Sequence, residues 1–241
     1  MNSQDVAIVT MSWARNEAEE RVLRDSLTAL AALELPVFIT DRGSGDAFVR
    51  FLHGLPQFTV LPPAQGVWPQ TRSGLQAAQA SGVSYVFYTE PDKGAFFRSH
   101  LRPMLQEALE EKPTGVFLAA RSAEGFSTFP AFQQMTETTI NRCCAEVIGT
   151  TADYVYGPFL LHSRLIPYLA GLPATIDWGW RPYAFTIAQR LGLTVRARTG
   201  DYFCPEDQRE DDAAERRYRM KQLNQNIEGL LLAAAAPLEP R

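Results

Sequence analysis

The sequence has few residues that form crosslinks or bind transition metals. Its 241 residues include three cysteines and three histidines, and two of the cysteines are the adjacent pair Cys143-Cys144. Adjacent thiols fit neither a disulfide framework nor the spacing of a zinc site. This usage argues against a disulfide-rich secreted scaffold, and we expect the chain to work in the reducing cytoplasm.

Long apolar runs and an excess of basic residues are also missing. The longest apolar candidate, residues 230–237, is too short to cross a bilayer, so we expect no transmembrane segment. The formal net charge of −4 does not give the basic footprint of a nucleic-acid binder, and we expect no nucleic-acid partner. Residues 1–5 carry no basic segment ahead of an apolar core, which predicts neither a signal peptide nor a transit peptide.

What remains is the composition and pattern of a globular α/β protein, with 46% hydrophobic and 21% charged residues. Strands are predicted at 6–11, 36–40, 58–61, 83–88, 115–120 and 193–197, with a short strand and turn at 154–162. Helices are predicted at 17–33, 47–52, 71–80, 97–111, 131–148, 163–169, 180–191 and 211–232. Their alternation predicts a mostly parallel central sheet flanked by helices. No internal repeat or low-complexity linker interrupts the chain, so we expect one domain.

The most informative stretch is the strand at 83–88 and the acids that follow it. Pro91 cannot donate to a sheet ladder and favours extended geometry at Glu90, so Glu90 and Asp92 project beyond the carboxyl end of the strand. Ligands sit at that end in open α/β sheets. Paired carboxylates there suit a hard divalent cation and its phosphates. A charged turn that closes a strand is the alternative interpretation.

Two earlier strands also lead to acids, the first to Asn16-Glu17 and the second to residues 41–46, Asp-Arg-Gly-Ser-Gly-Asp. Together with Glu90-Pro91-Asp92, this order resembles the GT-A nucleotide-sugar glycosyltransferases, family 2 and its mannosylglycerate-synthase-like relatives. The resemblance covers roughly residues 5–200. The third motif departs from the usual Asp-X-Asp, because Glu90 stands in for the first aspartate.

The resemblance implies a single GT-A, Rossmann-like domain over residues 1–200. A nucleotide-binding half would occupy about 1–120 and an acceptor half about 121–200, while residues 201–241 would form a lid segment and C-terminal helix of the same domain. The implied partners are a nucleotide-diphosphate sugar and a small-molecule or glycan acceptor. The implied cofactor is Mg²⁺ or Mn²⁺. Homo-oligomerisation is left open.

Carried over residue by residue, the resemblance implies that Glu17 meets the ribose, Asp41 the base and Asp92 the metal. Glu90 would act through water or the ribose. Arg72, in the helix after residues 65–68, would neutralise the diphosphate. Each has a simpler alternative: Glu17 as a first-turn acid, Asp41 as the start of an Asx-turn, and Arg72 as a solvated side chain.

Acceptor recognition would then fall to the second half. Asp177 sits where family 2 enzymes carry an acid at the acceptor site, which in inverting members deprotonates the attacking hydroxyl. The aromatic residues Tyr156, Trp178 and Trp180 are the candidate acceptor-binding platforms, with core packing as the alternative. The sequence does not choose between an inverting and a retaining outcome.

One departure concerns the metal site. Related retaining synthases supply a histidine late in the chain, whereas here no histidine follows the last predicted strand. The candidate substitutes are Asp201, Cys204, Glu206 and Asp207, in a segment predicted either as a lid or as an exposed connector.

An incomplete site would leave a non-catalytic nucleotide- or sugar-binding protein. A nucleotidyltransferase ranks third, because only Arg15 fits the Gly-rich basic loop that such enzymes carry after the first strand.

Overall fold

A computed structural model describes residues 5–110, 114–209 and 211–239, except for the side chain of Asp207. The chain divides into two compact units. The first comprises Met1–Lys112 and Pro158–Ile166, and the second comprises Pro113–Gly157 and Pro167–Arg241. The one-domain organisation stays a prediction.

The described residues alternate strands and helices along the chain. The strands are β1 (Val6–Ser12), β2 (Val37–Asp41), β3 (Phe58–Leu61), β4 (Tyr85–Tyr88), β5 (Thr114–Arg121), β6 (Phe159–His162) and β7 (Thr194–Gly200). The α-helices are α1 (Glu17–Ala31), α2 (Asp46–His53), α3 (Val67–Ala80), α4 (Gly94–Ser99), α5 (Leu101–Glu110), α6 (Ala123–Ser127), α7 (Ala131–Ile148), α8 (Ile166–Leu169), α9 (Trp180–Arg190) and α10 (Ala213–Ala235). Short 3₁₀ segments occupy Ser163–Leu165, Ala174–Gly179 and Glu206–Gln208.

The first unit is built on a mostly parallel sheet with strand order β3-β2-β1-β4-β6. Strand β1 pairs in parallel with β2 and with β4, while β6 runs antiparallel to β4. Every residue of β1 and β4 is buried. These strands read as continuous apolar runs because both faces of a parallel sheet are covered.

The second unit contains the parallel pair of β5 and β7, in which Phe117 lies opposite Arg196. Helix α10 packs against α7 and α9. No helix in the described part of the chain is long and apolar enough to cross a membrane. The predicted α/β class, the mostly parallel sheet and the C-terminal helix are confirmed.

Two of the predicted helices are wrong in detail. Helix α3 begins at Val67, four residues earlier than predicted, because Gly66 turns the chain at a φ of 99° and a proline is tolerated in the first helical turn. The helix predicted at 97–111 is two helices, α4 and α5, separated at His100, whose φ is −120°. Its predicted end at Glu111 lies outside the described residues. Helix α6 was not predicted.

Candidate functional site

The candidate residues of the first unit follow strands that lie side by side. Because β2, β1 and β4 are adjacent and parallel, the loops after their carboxyl ends meet at one edge of the sheet. Two hydrogen bonds link these segments: the Ala14 N–H donates to Ser44 Oγ at 2.8 Å, and Thr10 Oγ1, in β1, donates to the carbonyl of Thr89, directly after β4, at 2.8 Å. The topology therefore brings the loops carrying Glu17, Asp41 and Glu90–Asp92 to the same edge.

Asp41 is buried at the end of β2 and accepts four hydrogen bonds. Its Oδ1 accepts from the backbone N–H groups of Gly43 and Ser44, at 2.9 and 2.7 Å. Its Oδ2 accepts from the hydroxyls of Ser12 and Ser44, at 2.8 and 2.7 Å. Since a carboxylate oxygen has two lone pairs, these donors use its acceptor capacity. The Asx-turn is therefore present, and contact with a base stays a prediction that requires one hydroxyl to turn away.

Helix α1 is capped by Asn16. Asn16 Oδ1 accepts from the Glu19 N–H at 3.0 Å, and Glu17 is an exposed acid of the first turn. The acid held in place is Glu19, which lies 2.6 Å from the Arg15 guanidinium. Hydrogen bonding from Arg15 lowers the pKa of Glu19 below its ordinary value. The ribose contact of Glu17 stays a prediction.

An aromatic and cationic cluster at this edge was missed by sequence reasoning. Trp13 is 42% exposed, and the Arg42 guanidinium carbon lies 4.4 Å from the centre of its ring. Arg15 lies 5.5 Å from the same ring, and Arg42 Nε donates to Gln65 Oε1 at 3.0 Å. The available signal was a tryptophan two residues before an arginine, directly after a buried strand. The cluster places two cations beside the Asp41 turn.

The carboxylates after β4 provide hard oxygen donors. Glu90 and Asp92 are both partly exposed, and one carboxylate oxygen of each, Oε2 and Oδ1, is buried. Within residues 5–110, 114–209 and 211–239, no group of three or more His, Cys, Asp or Glu side chains could hold a metal ion. The loop does not fit an all-protein cage. It fits a Mg²⁺ or Mn²⁺ site that substrate phosphates and water complete.

Arg72 lies on α3, the helix that packs against β1 and β2, and its side chain is partly exposed. The close packing of this helix comes from Gly74, where a Cβ would approach Val9 Cγ1 to 2.5 Å. A diphosphate contact for Arg72 stays a prediction.

In the second unit, Asp177 has an unusual backbone conformation, with a φ of 40° and a ψ of −115°. Glu34 is the other described non-glycine residue with a positive φ. Asp177 Oδ2 accepts a hydrogen bond from Gln225 Nε2 at 3.2 Å and lies 3.6 Å from Lys221 Nζ. Both partners lie on α10.

The aromatic candidates differ in exposure. Trp180 is fully buried and Trp178 is 9% exposed, with its Nε1 donating to Tyr218 Oη at 2.9 Å. Tyr156 is partly exposed and stacks on Tyr202, with ring centres 4.9 Å apart. Core packing is the observed role of Trp180, and acceptor binding by the three aromatic residues stays a prediction.

A buried ion network in the second unit was also missed. Arg121 Nε lies 2.6 Å from Asp153 Oδ2, and its Nη2 lies 2.6 Å from Glu137 Oε2. The guanidinium carbon lies 4.6 and 4.4 Å from the ring centres of Phe126 and Phe129. Burial alone would raise the pKa of Asp153. The charge of Arg121 and hydrogen bonds from Arg121 and Asn141 outweigh burial and lower that pKa.

The segment considered for a late metal ligand packs within the second unit. Asp201 Oδ1 accepts from Ser122 Oγ at 2.6 Å, and the Cys204 N–H donates to Thr128 Oγ1 at 2.9 Å. Cys204 is buried, whereas Glu206 is exposed. The side chain of Asp207 lies outside the described part of the chain. The lid role of this segment stays a prediction.

Comparison with solved structures identifies the fold. Glucosyl-3-phosphoglycerate synthase from Mycobacterium tuberculosis, in complex with UDP, matches with a TM-score of 0.66 and 15% identity over 96% of this chain and 80% of that chain. The same enzyme with Mn²⁺, UDP and phosphoglyceric acid matches with a TM-score of 0.64 and 14% identity, over 96% and 79% of the two chains. Its complex with Mn²⁺, UDP-glucose and phosphoglyceric acid matches with a TM-score of 0.63 and 12% identity, over 96% of this chain and 80% of that chain.

No protein-family model matches the sequence, and no curated protein matches it. The likeness to the solved structures confirms the GT-A α/β fold that the sequence resemblance implied. At this level of identity the likeness extends to the fold alone.

Proposed function

We propose that this chain is a glycosyltransferase that moves a sugar from a nucleotide-diphosphate sugar to an acceptor. The observation that supports it most strongly is the likeness, over 96% of the chain, to a synthase solved with UDP-glucose. The edge where the loops after β1, β2 and β4 meet supports it independently, because it gathers acids at the usual ligand end of an open sheet.

In this proposal Asp41 reads the base, Glu17 contacts the ribose, Glu90 acts through water or the ribose, and Arg72 faces the diphosphate. UDP in the solved relatives supports a uridine nucleotide as donor. Arg42 and Arg15, stacked on Trp13, add positive charge at the same edge and favour an anionic ligand.

Asp92, assisted by Glu90, would hold the divalent cation. Mn²⁺ in the solved relatives supports a metal-dependent reaction. When bound, the cation neutralises charge on the departing diphosphate. The protein's own contribution is to supply two carboxylates from one loop, after a strand whose buried position fixes where that loop begins.

Asp177, with Tyr156 and Trp178, is assigned to the acceptor, whereas Trp180, which is fully buried, is assigned to the core. Phosphoglyceric acid and glycerol 3-phosphate in the solved relatives support a small-molecule acceptor over a glycan.

The three cysteines of the chain are free thiols, which supports a cytoplasmic location.

A nucleotide- or sugar-binding protein without turnover is the second candidate. It is favoured by the absence, among the described residues, of a cluster of three metal-binding side chains. Under this alternative, ligands bind at the same edge but no sugar is transferred.

A thermal-shift screen with UDP, GDP and their sugar conjugates, with and without Mn²⁺, tests binding, since a ligand of the native state raises the Tm. Release of UDP from UDP-glucose in the presence of small phosphorylated acceptors then tests transfer. We expect Mn²⁺-dependent stabilisation and acceptor-dependent release. Stabilisation without release from any donor and acceptor pair would favour the binding protein, and no stabilisation would contradict both candidates.

A further inference from the structure

The backbone of Asp177 is held in a conformation that L-residues rarely adopt. Its φ of 40° and ψ of −115° fall where a Cβ crowds the neighbouring peptide groups, and glycine is the residue usually found there. Such a conformation persists only when the surrounding structure enforces it, and it is concentrated at functional sites. The contacts around Asp177 identify what enforces it.

One set of contacts reaches its carboxylate from the C-terminal helix. Gln225 and Lys221 are one turn apart on α10, so they lie on the same face. Both approach Asp177 Oδ2, Gln225 through a hydrogen bond of 3.2 Å and Lys221 through an ion pair of 3.6 Å. Gln225 is 4% exposed, whereas the Lys221 side chain is 63% exposed, so the buried amide is the stronger constraint.

A second set of contacts fixes α10 against the backbone that follows Asp177. A Cβ on Gly179 would meet the Gln225 carbonyl at 2.1 Å, and a Cβ on Gly229 would meet the Gly179 carbonyl at 2.0 Å. Only glycine at both positions permits this approach. Trp178, between Asp177 and Gly179, donates to Tyr218 of the same helix at 2.9 Å. The helix therefore contacts Asp177 and both residues after it.

We propose that Gln225 and Lys221 are positioning residues, which orient the Asp177 carboxylate from α10 and make the C-terminal helix part of the acceptor-binding region of the second unit. The catalytic consequence rests on the proposed function. The orientation itself does not, because it concerns contacts within the second unit. On this view α10 sets the direction of a group that must meet an acceptor hydroxyl.

Stability measurements test the positioning without any assay of transfer. We expect the Tm of Asp177→Gly to exceed that of Asp177→Ala, because glycine adopts a positive φ without crowding. We also expect the Tm losses of Asp177→Ala and Gln225→Leu to be non-additive in the double variant, since the residues are in contact. Gln222→Leu, which alters a glutamine of α10 that bonds Arg219 instead, should combine additively with Asp177→Ala. Equal Tm values for Gly and Ala, or additive losses for Gln225→Leu, would overturn the proposal.

Kinetics test its consequence. Gln225→Leu should lower kcat at least tenfold and Lys221→Met several-fold, with the KM for the donor unchanged, and Lys221→Arg should restore activity. Arg217→Met, which removes an exposed cation one turn earlier on α10, should leave kcat unchanged. Wild-type kcat in Gln225→Leu would reject the positioning role and leave the proposed function standing. An inactive wild type with the stability results intact would reject the proposed function and leave the Asp177 tether standing.

Discussion

The two units hold their candidate carboxylates in opposite ways. Asp41 of the first unit accepts all four of its hydrogen bonds from Ser12, Gly43 and Ser44, two of which belong to its own turn. Asp177 of the second unit is held by side chains 44 and 48 positions further along the chain. A local turn constrains the first carboxylate, and a tertiary contact constrains the second.

Charge is distributed differently as well. In the first unit, the ion pair between Arg98 and Asp25 is exposed, with 51% and 70% of the two side chains accessible. In the second unit, the Arg121 side chain is 1% exposed and pairs with Glu137 and Asp153, whose side chains are 8% and 9% exposed. Exposed pairs contribute little to stability, whereas breaking a buried pair leaves a charge without compensation. The second unit should therefore depend on its ion network far more than the first depends on its surface pairs.

The substitution Arg121→Met gives the largest expected effect. It leaves Glu137 and Asp153 buried without their shared cation, so we expect a loss of about 3–5 kcal/mol in the free energy of unfolding. Urea denaturation measures it. The matched control is Arg98→Met in the first unit, which should cost less than about 1 kcal/mol. Equal costs for the two variants would remove the contrast between the units.

Asp92→Asn tests whether the loop after β4 in the first unit holds a divalent cation. The change removes one negative charge from a loop proposed to hold a divalent cation, and we expect Mn²⁺-dependent transfer to fall by about 3 kcal/mol of transition-state stabilisation. Folding stability should change little, since relief of repulsion with Glu90 offsets lost contacts. Unfolding of the variant, or unchanged Mn²⁺ binding, would mean that these carboxylates only close the strand.

Asp41→Asn tests whether a locally satisfied carboxylate is also a ligand group. Asparagine retains one acceptor oxygen for the turn, and the serine hydroxyls can rotate to accept from its amide, so the Tm should change little. Nucleotide affinity should fall by about 1–3 kcal/mol if Asp41 accepts from a base N–H. Calorimetry measures this loss, with Asp46→Asn at the start of α2 as the control. Equal nucleotide affinity for wild type and Asp41→Asn would remove Asp41 from the site.

Much of the fold was predictable because its signals are local and repeated. The bounds of β3 and α7 agree with the sequence pattern, and the Asn16 cap follows from its position before three acids. The early start of α3 depended on a single φ value at Gly66, which apolar spacing does not report. The placement of acids after three strands followed from the strand pattern, whereas the adjacency of those strands comes from the sheet order.

The parts that sequence reasoning missed depend on distant partners. Arg121, Glu137 and Asp153 come from a strand, a helix and a loop, and nothing in their spacing pairs them. Likewise, Asp177 contacts Gln225 and Lys221, which lie 48 and 44 positions further along the chain, so aspartate at that position gave no local signal of its positive φ. Such contacts become visible only once the chain is folded.

The smallest expected effect concerns how the stability of the second unit depends on pH. The pKa of Asp153 is lower in the folded protein than its ordinary value of 3.8, because the charge and hydrogen bonds of Arg121 outweigh burial. Below pH 3.8, the unfolded chain binds a proton at Asp153 that the folded protein does not. The stability that the Asp153 carboxylate contributes above pH 3.8 is therefore lost as the pH falls towards the pKa of Asp153 in the folded protein. Asp153→Asn should flatten the decrease in urea midpoint as the pH falls below 3.8. Parallel pH profiles for wild type and Asp153→Asn would show that Asp153 does not set the acid sensitivity of the second unit.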